Sequence, residues 1–263
     1  MIIRQMKVAA LYICTGKYSR FYAGFYESAE KYLLKGLSDI EYFVFTDNAE
    51  LTKTGNVHFI ETPCAGFPYD SLFRFEMFLR IKEDLKKFDL IYFFNANTAF
   101  CQPVGEEIFP DETGLVAAKW PRRNRQFPAF YPYERNRKSQ AYIAPFQPPY
   151  AYYMGGINGG TASAYLNMVE TCAANIRSDY MRGIIARVHD ESHINKYLRT
   201  HACKVLPPAY CWPEEWAAQF SPIIIFRDKV KLDPSFGKGR DRSLWGRMKK
   251  GVGMLYRAIR WYV

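Results

Sequence analysis

Along this chain, stretches that are almost wholly apolar alternate with stretches whose apolar positions recur every three to four residues. Lys7–Cys14 (KVAALYIC), Ile40–Asp47 (IEYFVFTD), NVHFIET from Asn56 and Leu90–Phe94 (LIYFF) are strand-length apolar runs. A run without polar alternation predicts a strand covered on both faces. Between them, Phe21–Lys35 and Asp70–Lys87 (DSLFRFEMFLRIKEDLKK) carry helical spacing. Strands alternating with helices predict an α/β chain, a single Rossmann-like domain on a mixed, mostly parallel sheet. Ligands of such sheets bind beyond the carboxyl ends of the strands. There Leu90–Phe94 runs straight into Asn95-Ala96-Asn97, which reads either as an asparagine turn or as a polar pair facing a ligand.

Downstream the pattern loosens. Trp120–Gln147 is rich in Pro, Arg and Tyr without a period, which predicts a long irregular excursion. AYYMGGINGGTASAYLNM then sets Gly155, Gly156, Gly159 and Gly160 between aromatics, ahead of a helix capped near Thr161. Glycine pairs let backbone approach a ligand closely, or make a bulge or tight turn. With no GxGxxG and no Gly-Lys-Ser/Thr, they form neither a dinucleotide fingerprint nor a phosphate loop. VHDESHINKYLRTH opens a helix on Asp190 and Glu191, where the helix dipole favours carboxylates. His189 and His193 share a helical face, but HDxxH lacks the glutamate position of a HExxH zinc site, so no metal is expected there.

Composition narrows the setting. With 49% hydrophobic content, 263 residues can bury one large core. The six cysteines, Cys14, Cys64, Cys101, Cys172, Cys203 and Cys211, form no CxxC pair. They predict reduced core thiols and a cytoplasmic chain. Neither a signal pattern nor an apolar stretch of roughly 18 residues is present, so no membrane span is expected. The net charge of +10 is concentrated after Phe226 and predicts an anionic partner. Aromatics at 17% suit stacking on single-stranded nucleic acid or on sugar rings. HDES and the strand-end asparagines need another purpose than a basic nucleic-acid face, so no nucleic-acid partner is expected. Residues 243–263 mix Trp245, Met248, Leu255, Ile259 and Trp261 with Arg247, Lys249, Lys250, Arg257 and Arg260. The chain therefore divides into a catalytic domain, 1–242, and a basic amphipathic tail, 243–263, suited to peripheral contact with an anionic inner membrane.

Six blocks, in order, resemble glycosyltransferase family 6, which includes the histo-blood-group A and B transferases and alpha-1,3-galactosyltransferases. They are YFVFTDN (Tyr42–Asn48), FRFEMF (Phe73–Phe78), YERNRKSQAYI (Tyr133–Ile143), YYMGGINGGT (Tyr152–Thr161), HDESHINKYL (His189–Leu198) and KVLPPAYCW (Lys204–Trp212). HDESHINKYL is the most specific, and the match weakens after Phe226. The resemblance implies a GT-A type nucleotide-sugar transferase fold and a retaining hexosyltransferase. Where the family's animal members keep a metal-binding Asp-x-Asp, this chain has Asn95 and Asn97, the pattern of metal-independent bacterial members. No metal cofactor is therefore implied.

Carried over by position, the resemblance makes Glu191 the catalytic carboxylate. It places Ile13, Cys14, Tyr18, Asp47, Arg74, Asn95, Asn97, Met154, Gly155, Gly156 and Asp190 at the donor, and Trp120 and His193 at the acceptor. Lys231 falls in the segment that closes over the diphosphate. Gly156, having no side chain, is expected to leave room for an N-acetyl group. The resemblance thus implies an alpha-1,3-N-acetylgalactosaminyltransferase moving GalNAc from UDP-GalNAc to the galactose of a fucosylated, H-antigen-like acceptor. An alpha-1,3-galactosyltransferase using UDP-galactose is the alternative, and a sugar-binding protein without activity is a further rival.

Overall fold

The computed structural model describes residues 5–52, 54–121, 127–237 and 243–262. Its strands are β1 (Met6–Ile13), β2 (Ser38–Thr46), β3 (Val57–Glu61), β4 (Leu90–Phe94), β5 (Thr98–Phe100), β6 (Leu115–Lys119), β7 (Tyr153–Thr161), β8 (Lys204–Leu206), β9 (Trp212–Pro213) and β10 (Ile224–Phe226). Its helices are α1 (Tyr22–Tyr32), α2 (Tyr69–Leu72), α3 (Arg74–Leu79), α4 (Lys82–Leu85), α5 (Ala162–Met181), α6 (His189–Tyr197), α7 (Lys229–Leu232) and α8 (Leu244–Tyr262). A seven-stranded sheet runs in the order β3-β2-β1-β4-β7-β6-β8, and only β7 opposes the common direction. A small sheet, β5-β10-β9, stands beside it.

The apolar runs are buried on both faces, as their lack of alternation predicts. Val8, Ala10 and Tyr12 of β1 pack with Tyr42, Tyr92 and Phe94 and with Phe25 of α1. Ala9 and Leu11 pack on the other face with Phe45 and Phe93, beneath Phe75 and Phe78 of α3 and Tyr165 and Val169 of α5. Each buried Val, Leu or Phe side chain among them contributes about 1.5–3 kcal/mol through burial. The Thr161 hydroxyl accepts the Ala164 amide and starts α5, as expected for an N-cap.

Two elements differ from their expectation, the second only in part. Asp70–Lys87 is not one helix but the three pieces α2, α3 and α4, broken at Phe73 and Ile81. The first break lets Arg74 reach across to the Gly155 carbonyl, a tertiary bond that continuous helical periodicity does not anticipate. GGINGG is not a turn but lies inside β7, where the pairing with β6 shifts register between Ala117 and Lys119, an irregularity of the kind a bulge makes. A Cβ on Gly159 would lie 2.2 Å from Tyr92 Cδ1 and 2.6 Å from the Ile91 oxygen, so glycine is what lets β4 close on β7.

All six cysteines are free; Cys14, Cys172 and Cys211 are buried as expected, whereas Cys64 and Cys101 are exposed. The excursion after Trp120 is irregular where described. It is held by Glu134, whose carboxylate accepts the Arg135, Asn136 and Arg187 amides, and by Asp179, which accepts the Ser139 hydroxyl and the Gln140 amide. The boundary at residue 242 lies outside the described residues. Beyond it, α8 docks through Ala258 and Trp261 onto Ala129, Tyr131, Tyr133 and Tyr152. Among the described residues, no helix is long and apolar enough to cross a membrane.

Candidate active site

The chain leaves β1 toward β2 on one side and returns to β4 on the other, so a crevice opens at the carboxyl ends of these two neighbours. Its lining includes Ile13, Thr15, Tyr18, Arg74, Asn95 and Lys229. Asp70 shapes one wall, accepting the Thr15 hydroxyl at 3.0 Å and the Ala65 and Gly66 amides. Asp47 Oδ1 accepts the Gly16 amide at 2.8 Å and fixes the turn after β1.

Arg74 is buried, with its guanidinium 4.2 Å from the centre of the Phe93 ring. Nη1 donates to the Gly155 carbonyl at 2.8 Å and pairs with Asp190 Oδ2 at 3.1 Å. Nε and Nη2 meet no partner among the described residues. A buried cation that lines a crevice with spare donors is equipped to receive hydroxyl or anionic oxygens. Burial pushes Asp190 above the usual carboxylate range, and Arg74 opposes that shift.

Asp190 and Glu191 occupy the first turn of α6, where the dipole favours them. The preceding His189 has φ of 45°, left-handed for a non-glycine residue, so backbone strain adjoins the two carboxylates. Glu191 faces β7: Oε1 accepts the Tyr152 hydroxyl and Oε2 accepts the Gly155 amide at 2.7 Å. Burial raises its carboxyl to about 7, against the lowering effect of these two donors. Asn195 staples α6 to β7 by exchanging bonds with Tyr153 N and O at 2.9 and 3.0 Å. The carboxylate is thus held rigidly while titrating near neutrality.

The strand-end asparagines are engaged with protein. Asn95 Nδ2 donates to Asn97 Oδ1 at 2.8 Å, and Asn97 Nδ2 donates to the Arg227 carbonyl at 2.7 Å. The Arg227 amide returns a bond to the Asn97 carbonyl at 2.7 Å, so the pair ties β4 to the carboxyl-terminal segment. Divalent Mg or Mn prefers anionic oxygens. Asn95 and Asn97 offer only neutral amide oxygens to such an ion, and the Asn97 oxygen already accepts from Asn95.

A sequence profile of glycosyltransferase family 6 matches residues 3–228. The chain belongs to glycosyltransferase family 6. It is 31% identical over 228 residues to the O-antigen biosynthesis glycosyltransferase WbnI of Escherichia coli, covering 86% of this chain and 96% of the relative. It is 28% identical over 227 residues to human globoside alpha-1,3-N-acetylgalactosaminyltransferase 1, covering 80% of this chain and 62% of that protein. Over 125 residues it is 34% identical to human alpha-1,3-galactosyltransferase 2, covering 47% of this chain and 31% of the relative. A family 6 enzyme is a hexosyltransferase, so its substrates are a nucleotide-sugar donor and a glycan acceptor. The mixed α/β sheet with flanking helices is consistent with a GT-A-like domain.

In this family 6 enzyme, the expected donor residues Ile13, Tyr18, Arg74 and Asn95 line the crevice. Asp190, Gly155 and Glu191 are bonded together at its Arg74 side. Four expected residues, Cys14, His193, Gly156 and Lys231, are not among the residues lining the crevice. Cys14 turns its thiol into the core, where burial pushes it up to about 12. His193 is buried with its ring toward Asp179, Nε2 at 3.8 Å. Beside Gly156 the packing leaves no empty pocket, since a Cβ there would meet Phe226 Cζ at 2.9 Å and Asn95 Cβ at 3.3 Å. Lys231 points outward to Glu214 at 3.5 Å, and it is Lys229 that lines the crevice, with Nζ 3.3 Å from the Tyr18 hydroxyl.

The remaining expected residues contact neighbouring protein. Asn97 and Asp47 brace loops, and Met154 packs half-buried against the core. Trp120 stands edge-on to Trp216, which in turn meets Trp212 edge-on. Sequence reading missed Tyr152, Asn195, Lys229 and Trp216. Tyr152 and Asn195 lie inside blocks already singled out, YYMGGINGGT and HDESHINKYL, and so carried a signal. Lys229 lies two residues from Lys231 on the one-turn helix α7, and only its direction tells the two apart.

Proposed function

We propose that this family 6 enzyme transfers N-acetylgalactosamine from UDP-GalNAc, with retention of configuration and without a divalent metal, to the galactose of a fucosylated glycan, forming an alpha-1,3 linkage. The observation that carries the reading is Glu191, a carboxylate fixed by Tyr152 and Gly155 beside the Arg74–Asp190 pair. As the sugar–diphosphate bond breaks, positive charge develops on the sugar ring. The Glu191 carboxylate faces that charge, either stabilising it or attacking to give a covalent sugar ester that the acceptor hydroxyl then displaces. Arg74 and Asp190 supply donors and acceptors for sugar hydroxyls, and positioning of this kind lowers the barrier. Departing UDP gains negative charge, which Lys229 and the spare Arg74 donors offset in place of a metal. The cluster of Trp120, Trp212 and Trp216 offers flat faces for acceptor sugars.

Transfer of galactose from UDP-galactose is the second reading, favoured by the Phe226 ring against Gly156, which takes the space the N-acetyl group was expected to use. Incubation with UDP-GalNAc or UDP-galactose and fucosylated or unfucosylated acceptors, with products identified by mass and linkage, decides between them. Glu191→Gln should lower kcat/KM on the order of 10³-fold while UDP affinity stays within a few-fold, because charge stabilisation is lost mainly in the transition state. Transfer by the variant within roughly threefold of the parent overturns the role of Glu191.

A further inference from the structure

α8 departs from the way an amphipathic helix joins a globular core. Its apolar residues Trp245, Met248, Val252, Leu255 and Ile259 recur at alternating steps of three and four, one stripe on a helix, and each is more than half exposed, between 54% and 68%. The helix is anchored by a different arc. Ala258 and Trp261 are buried, Trp261 Nε1 donates to the Ile143 carbonyl at 2.8 Å, and the Arg135 guanidinium lies over the Trp261 ring. At about 100° per residue, Ala258 and Trp261 project well away from the centre of the stripe. The stripe is therefore left facing solvent along about 21 Å of helix, at 1.5 Å per residue.

Charge indicates what covers it. Residues 243–263 contain Arg247, Lys249, Lys250, Arg257 and Arg260 and no Asp or Glu. The helical pitch sets Lys249 and Arg260 along one border of the stripe. A second copy of this helix laid on the stripe would bring like charge against like charge, with no acidic residue to pair across the seam. Gly246, Gly251 and Gly253 further weaken an isolated helix, which a lipid interface would stabilise. We infer that α8 is a docking surface for an anionic lipid bilayer, inserting the Trp245–Ile259 stripe at the headgroup boundary while Lys249 and Arg260 along its border meet acidic headgroups. The anchor ties that surface to the catalytic centre: the Trp261 ring is 5.9 Å from Tyr133, Tyr133 is 5.8 Å from Tyr152, and Tyr152 bonds Glu191. The inference does not depend on which sugar is transferred.

The test is flotation of the full chain with vesicles of phosphatidylcholine alone or of phosphatidylcholine mixed with phosphatidylglycerol. The parent should bind the phosphatidylglycerol vesicles at least about tenfold more tightly, and added salt should weaken that binding. Val252→Asp and Ile259→Asp, each on the exposed stripe, should abolish binding while the melting temperature and transfer to a free oligosaccharide stay at parent values. The inference is overturned if the parent floats with neither vesicle or with both equally. It is also overturned if these variants bind like the parent, or if they convert a dimer to a monomer by sedimentation while vesicle binding is absent.

Discussion

At the scale of single residues, the proposed chemistry rests on how one carboxylate is held. Glu191 titrates at about 7, because burial favours the neutral acid while Tyr152 and Gly155 donate to the charged form. A reaction that needs the carboxylate should therefore gain rate as pH rises through neutrality. Tyr152→Phe removes one donor to the charged form, so the Glu191 pKa should rise and the ascending limb of kcat/KM against pH should move upward. Loss of a merely structural contact would lower the profile equally at all pH values. A limb that stays in place would show that Tyr152 does not tune the carboxylate.

At the scale of elements, β7 is the strand that makes the site possible. Its glycines admit β4 on one side, and its backbone presents the Gly155 amide to Glu191 and the Gly155 carbonyl to Arg74. The close approaches differ in what could yield. At Gly156 an added methyl meets the edge of the Phe226 ring, whereas at Gly159 it meets the Tyr92 ring and the Ile91 carbonyl in the next strand. Gly156→Ala should cost about 1–3 kcal/mol of stability by overpacking. Gly159→Ala should cost more, because ladder backbone cannot withdraw. Thermal melts of the two variants check the order, and equal losses would place the constraint elsewhere.

At the scale of the whole molecule, the crevice is closed by parts of the chain far apart in sequence. Reciprocal bonds between Asn97 and Arg227 bring β10 and α7 to the end of β4, and this carries Lys229 beside Tyr18. In the proposed reaction, with neutral amides at the strand end, charge on the departing diphosphate falls to cations. Lys229→Ala should lower kcat by about 10²-fold. Lys231→Ala should change it by less than roughly threefold, since its ammonium is solvated and an exposed pair with Glu214 contributes little. Both effects should be the same in EDTA as in added manganese. EDTA inactivation with rescue by manganese would show that a metal does this work.

Much of this was written into the chain locally. Continuous apolar runs foretold β1, β2, β3 and β4, because a strand covered on both faces has no polar alternation to keep. Asp190 and Glu191 were legible as a helix start, and the ordered blocks pointed to family 6 before any coordinates. What remained depended on contacts between distant segments. Arg74 and Gly155 are 81 residues apart and Asn97 and Arg227 are 130, so no local period records their pairing. The same dependence sent Lys231 outward and Lys229 inward on one helical turn, and buried His193 against Asp179. In α8 the sequence by itself determined an amphipathic helix, while only the tertiary structure decided that Ala258 and Trp261 dock and the apolar stripe does not. Periodicity states which residues share a face; which face meets the core is settled by the shape and bonding of the surface waiting for it.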